Sequence, residues 1–199
     1  MSIIEKLSEP LYIKDIDFRV QSINKGGYVT ILPYKDARVD INRLNSVCGI
    51  GWSRSHSRDN KNCTVSLWDA DSKQWVSRED TGTESNTEQQ KGLASDSFKR
   101  ACFNWGIGIE LYDYPIIELK LNGGGNNQKG CEWYLNENKK DRYGNASPAA
   151  GYNFKLKEWK WYAEFEGGKI SFLACQDNSK KTRWSFGKRK VEIKKEAEK

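Results

Sequence analysis

Histidine is almost absent from this chain of 199 residues: His56 stands alone, with no Ser-Asp or Cys partner motif beside it. One histidine leaves little for general-base or metal chemistry, and a plain strand histidine accounts for it. The five cysteines, Cys48, Cys63, Cys102, Cys131 and Cys175, lie at wide, unequal intervals without a C-x-x-C pair. That spacing argues against both a structural zinc site and a disulfide frame. The chain also lacks G-x-x-x-x-G-K-[ST], since Gly187-Lys188 has neither the upstream glycine nor the following hydroxyl. ATP-driven strand exchange or unwinding is therefore unsupported. Glu79 and Asp80 are neighbours at a strand end and point to opposite faces, so with Glu84 they make a poor magnesium centre. The reading is of a protein that is not an enzyme and needs no cofactor. No apolar run approaches the roughly 18 residues that cross a bilayer. The opening MSIIEKLSEPLYIKDID has early acids and lacks a basic stretch, an apolar core and a cleavage site. No membrane partner, no secretory leader and a cytoplasmic location are the expectations.

What is present fits a folded protein. A hydrophobic fraction of 37% with 12% aromatics is too rich for general disorder, and the length allows one main domain of about 100 to 150 residues plus an appendage. The net charge of +6 is unevenly placed: through residue 120 there are 16 Lys and Arg against 17 Asp and Glu, and from 121 onward 17 against 10. A basic C-terminal part attracts phosphate, and an ordinary solvated surface would give the same count.

Along the chain, a short amphipathic opening at Ile3 to Leu7 precedes a hairpin. Its strands are the run around Phe18 to Ile23 and Tyr28 to Tyr34, turned at Lys25-Gly26-Gly27. Asp36 can cap a helix with Val39, Ile41, Leu44 and Val47 on its apolar side, stopped by Gly49 and Gly51. Trp52 to Arg58, Cys63 to Trp68 and Trp75 to Arg78 read as an antiparallel meander. From Ser85 or Asn86 the period changes: Ser85 to Glu88 has capping-box spacing, and Ala94, Phe98, Ala101, Cys102 and Trp105 recur at helical steps. Ile109 to Leu121 resumes as extended chain. The sequence thus divides into a core at 1–121, a Gly/Asn-rich linker at 122–130 and a basic β-rich extension at 131–199 with a charged tail. In the extension Asn136 to Gly151 is polar, Phe154 to Phe165 and Ile170 to Cys175 suggest a hairpin, and Arg183 to Phe186 a third strand. The predicted class is α+β, an antiparallel meander packed on a long helix.

On the long helix Lys91, Ser95 and Lys99 are spaced by four and share one face, with Arg100 adjacent. Such a strip can lie along a phosphate backbone, and it can equally be a solvated helix face. Trp159 and Trp161, among Lys155, Lys157 and Lys160, either stack bases or form the core side of a strand. Trp52, Trp68, Trp75 and Trp105 fall within regular elements, where burial is expected.

Three stretches in order, YKDARVDINRLNSVCGIGW (Tyr34 to Trp52), REDTGTES (Arg78 to Ser85) and KGLASDSFKRACFNWGIG (Lys91 to Gly108), give residues 15–115 a resemblance. They resemble the Rad-fifty-two family of single-strand annealing proteins, closest to its phage Sak-like branch. The resemblance implies a β-β-β-α core whose subunits form a homo-oligomeric ring or filament with single-stranded DNA in an outer basic groove. The family's backbone-contacting Lys-Arg pair matches Lys99 and Arg100, a further basic position matches Lys91, and a groove arginine matches Arg19. Arg38 also matches, with packing or subunit contact as its other role. Where the eukaryotic branch has another arginine, this chain has Phe103.

The function so implied is ATP-independent binding of single-stranded DNA and annealing of complementary strands in phage or prophage recombination and repair. Single-stranded DNA and the annealed duplex would be the ligands, in the cytoplasm of a bacterial host. A phage exonuclease or a host single-strand binding protein are candidate partners. Two alternatives stay open: a non-annealing module that protects single-stranded ends, and an interaction protein that docks a host recombination factor.

Overall fold

The computed structural model describes residues 1–83, 89–124 and 130–189, with side chains of the helix that begins at 89 described from residue 92 onward. In chain order the elements are α1 (Ile3–Leu7), β1 (Asp17–Ile23), β2 (Tyr28–Tyr34), α2 (Ala37–Cys48), β3 (Trp52–His56), β4 (Asn62–Asp69), β5 (Gln74–Thr81) and α3 (Gln89–Asn104). They continue with β6 (Ile117–Lys120), β7 (Trp133–Lys140), β8 (Ala146–Ala150), β9 (Lys160–Glu166), β10 (Lys169–Gln176) and β11 (Thr182–Gly187). The chain is α+β with antiparallel sheets, as its alternating and helical periods predict. The capping-box positions Ser85 and Glu88, part of the Gly/Asn-rich segment and most of the charged tail lie outside the described residues.

Two compact units form, and neither is a simple cut in sequence: Met1–Asp17 with Pro33–Tyr114, and Phe18–Leu32 with Pro115–Lys199. The division falls away from the Gly/Asn-rich segment because β2 and β6 are one ladder, Val29 opposite Leu119 and Ile31 opposite Ile117. The first hairpin therefore goes with the C-terminal part of the chain.

In the first unit the meander runs β3-β4-β5. Successive strand residues point to opposite faces, so Cys63, Val65 and Leu67 of β4 point inward, and all three are buried. Helix α3 lies on them with Phe98, Ala101, Cys102 and Trp105, which recur at helical spacing and are likewise buried. The Trp105 indole donates to the Val65 carbonyl at 3.0 Å, so the last turn of α3 is fixed to the middle strand. Gly82 makes the close approach possible: a Cβ there would stand 2.7 Å from the Ser97 nitrogen and 2.8 Å from the Leu93 carbonyl oxygen. These are backbone atoms that cannot swing aside. Helix α2 adds Leu44 to the same core; its first turn is capped by the Asp36 side chain, which accepts from the Arg38 N–H at 2.8 Å, and Gly49 closes it at φ 56°.

Beside that apolar core lies a buried ion pair. Lys35 Nζ is 2.5 Å from Asp40 Oδ1, both side chains being essentially inaccessible. The ammonium also donates to the Ile107 carbonyl and sits 3.9 Å from the centroid of the Phe103 ring. Burial pushes the Asp40 carboxyl up to about 6 and Lys35 below its ordinary value, each opposed by the partner's charge. Phe103 thus covers a cation of its own chain.

In the second unit the sheet β1-β2-β6 is followed by the hairpin β7-β8 and the sheet β11-β10-β9. The β7–β8 hairpin occupies much of the polar stretch at 136–151, whose composition suggests no strands; its ladder pairs Trp133 with Ala150 and Leu135 with Pro148. Polar composition hides it, because only the first residue of β7 is buried. Gly27, at φ +75°, lets the Trp133 ring come so near that a Cβ would lie 2.4 Å from the indole. Arg183 is held by Glu132 at 2.7 Å and by Asp177 at 3.4 Å. Trp159 is buried against Phe154, ring centroids 5.4 Å apart, with the Arg183 guanidinium 4.9 Å from its centroid. Trp161 stacks on Phe18 at 3.6 Å and 4°. Of the two roles open to these tryptophans, packing is the one observed.

Removing one member of the Lys35–Asp40 pair leaves an uncompensated buried charge or an empty acceptor. Lys35→Met and Asp40→Leu are each expected to cost about 3–5 kcal/mol in denaturant unfolding, while the double variant returns close to the parent stability. Additive losses in the double variant would contradict the pairing.

Candidate nucleic-acid interface

Lys99 and Arg100 are positioned by the seam between α3 and β4. With Phe98, Ala101, Cys102 and Trp105 held inward, consecutive residues step about 100° around the helix, so Lys99 and Arg100 diverge to its two sides. Arg100 turns to β5, where its Nε donates to Asp80 Oδ1 at 3.3 Å, the two side chains 40% and 25% exposed. Lys99 turns to the start of α2: its charge acts on both Asp36 and Asp40. It is half-buried and makes no hydrogen bond or ion pair among the described residues. Lys91 lies on α3, two turns earlier, and its side chain is outside the described set.

Arg38 stands in the first turn of α2, its Nε 2.9 Å from Asp36 Oδ1 and its side chain 85% exposed. Hydrogen bonds from the Arg38 side chain and backbone hold the Asp36 carboxyl below the usual carboxylate range, and the charges of Arg38 and Lys99 add to this. Arg38 meets the Asp36 carboxylate directly, and the charge of Lys99 reaches it from α3. Arg19 lies on β1, and from Phe18 onward that strand belongs to the second unit. The first unit thus holds Arg38 and Lys99 on the α2 side of α3 and Arg100 on its β5 side, and Arg19 is not part of it.

Sequence reasoning passed over three residues on the flanks of α3. The Arg78 guanidinium lies 4.3 Å from the Trp105 ring centroid and donates to the Asn104 carbonyl. Asn104 Nδ2 in turn donates to the Glu79 carbonyl at 3.1 Å. On the other flank the Arg54 guanidinium covers the Phe98 ring at 4.7 Å. For the two arginines the signal is strand parity: Arg54 pairs with Val65 on β4, and Val65 with Arg78 on β5, so both share the inward parity and flank the apolar column. The neighbours Glu79 and Asp80 do point to opposite faces, Glu79 to Asn62 and Thr64, Asp80 to Arg100. His56 sits at the end of β3 with its Nδ1 3.5 Å from Ser97 Oγ, and burial followed by the Arg54 charge lowers its pKa.

Two tryptophans expected inside are outside. Trp68 and Trp75 are 40% and 50% exposed and meet edge to face at 5.6 Å across β4 and β5. The parity that turns Leu67 inward turns Trp68 outward.

Chemically the site offers cations with acids close by. A guanidinium can hold a phosphate oxygen through its remaining N–H groups while Asp80 takes one, and an exposed ion pair of this kind contributes no more than about 1 kcal/mol, so a polyanion can displace it. Among the described residues no three His, Cys, Asp or Glu side chains gather as metal ligands would, and no helix is long and apolar enough to cross a membrane. Comparison of the chain with protein-family models, with curated proteins and with solved structures finds no match.

The acid beside Arg100 competes with phosphate. Asp80→Asn is expected to tighten binding of single-stranded DNA about two- to fivefold at low salt, measured by fluorescence anisotropy. Weaker binding by this variant would mean that Asp80 serves to orient Arg100 rather than to compete for it.

Proposed function

We propose that this chain is an ATP-independent single-stranded DNA binding and annealing protein of phage or prophage recombination and repair, acting as a homo-oligomeric ring or filament. The observation that carries the reading is the placement of Arg38, Lys99 and Arg100 about α3, on the elements that bear the resembling stretches. Annealing needs no bond chemistry. The protein must hold a strand by its phosphates, leave the base edges free and release the duplex once complementary strands pair. Few cations per subunit, partly countered by Asp36 and Asp80, suit such reversible holding, since each copy grips weakly and repetition supplies the affinity. The meander β3-β4-β5 with α3 across it is the β-β-β-α core of this proposal, and Arg19 and Lys91 are its further candidate contacts.

The test mixes fluorescently labelled complementary oligonucleotides with the protein in the absence of nucleotide. Pairing faster than the spontaneous rate is expected, and a Lys99→Ala/Arg100→Ala variant of parent-like stability and oligomeric state should lose most of that acceleration. Slower pairing with the parent protein would instead identify an end-protecting module.

A further inference from the structure

The second unit carries a groove that the α3 site does not use. In the sheet β11-β10-β9 one face is spent on packing: Leu173 and Cys175 are fully buried, and Trp161, opposite Cys175, stacks on Phe18. The alternate residues, Tyr162, Phe172, Ala174 and Gln176, face the other way. There Tyr162, Phe172, Ala174, Gln176, Ser185 and Arg189 line a groove of about 360 Å³.

We propose that this groove binds an unpaired base of single-stranded DNA with its adjoining phosphate, as a contact point additional to that at α3. Ala174, 6% exposed, is a small floor that leaves room beside the larger rings. Tyr162 is 37% exposed, its ring offering the sequence-tolerant surface on which bases stack. Its hydroxyl donates to Gln176 Oε1 at 3.2 Å, which fixes the ring and leaves the Gln176 amide N–H groups for a base edge. Charge favours a nucleic acid over an apolar peptide. Arg189 is exposed at the groove, its Nε 3.4 Å from Glu164 in an ion pair that a phosphate can replace. Lys160, two residues before Tyr162 on β9, shares that face. The chain from residue 121 onward carries 17 basic against 10 acidic residues, so the approach of a polyanion is favoured over the whole region.

The proposal rests on single-stranded DNA being the ligand of this chain, and the experiment separates the two claims. Full-length protein is irradiated with an oligothymidylate carrying iododeoxyuridine, adducts are mapped by mass spectrometry, and affinity is measured for Tyr162→Ala and Tyr162→Phe. Adducts at Tyr162 or Phe172 are expected, with at least about fivefold weaker binding for Tyr162→Ala and near-parent binding for Tyr162→Phe, which keeps the stacking ring. Parent protein that binds the oligonucleotide, gives adducts only outside 160–189 and loses no affinity on Tyr162→Ala would overturn this groove and leave the annealing reading standing. An absence of oligonucleotide binding by the parent would overturn both.

Discussion

Helix α3 lies on the middle strand of the meander, with Phe98, Ala101, Cys102 and Trp105 against Cys63, Val65 and Leu67. This seam sets the positions of Lys99 and Arg100. Its apolar burial contributes about 1.5–3 kcal/mol for each large side chain, more than any exposed ion pair near it. Gly82 brings the strand end against the helix backbone, and the Trp105 indole on the Val65 carbonyl fixes the far end. Rotating α3 by one residue would bury Lys99 or Arg100 and expose Phe98.

The electrostatics follow from that rotation. With the apolar side fixed, Lys99 faces the start of α2 and Arg100 faces β5, where Asp36 and Asp80 partly offset the basic side chains. Lys35 and Asp40 go the other way: buried together, they are unavailable to any ligand and act within the core. Cations at the surface are thus poised rather than bare. In the proposed annealing role, a strand bound through such groups could be gripped at many places and still be released.

Legibility in the sequence tracks how strongly each segment announces its period. The meander, the capped helix α2 and the apolar spacing of α3 are readable because side-chain alternation and helical recurrence are local signals. Trp68 and Trp75 are misplaced when hydrophobicity is weighed above parity, although Leu67 inward implies Trp68 outward. The β7–β8 hairpin escapes a reading by composition since most of its residues are polar or small and few are buried. Pairing of β2 with β6, about 90 positions apart in the chain, leaves no trace in local composition, which is why the compact units are not those suggested by the Gly/Asn-rich segment. The ion pairs of Arg38 with Asp36 and Arg100 with Asp80 differ in the same way: the first is two residues apart and open to local inspection, the second needs the helix docked.

The central claim is that Lys99 and Arg100 meet phosphates, and the salt dependence of binding tests it most directly. Each phosphate contact on a single strand adds about −0.7 to the slope of log affinity against log salt concentration. Lys99→Ala/Arg100→Ala is therefore expected to make the slope shallower by about 1.4 per bound subunit, with the unfolding midpoint unchanged. A slope equal to that of the parent protein would contradict the claim.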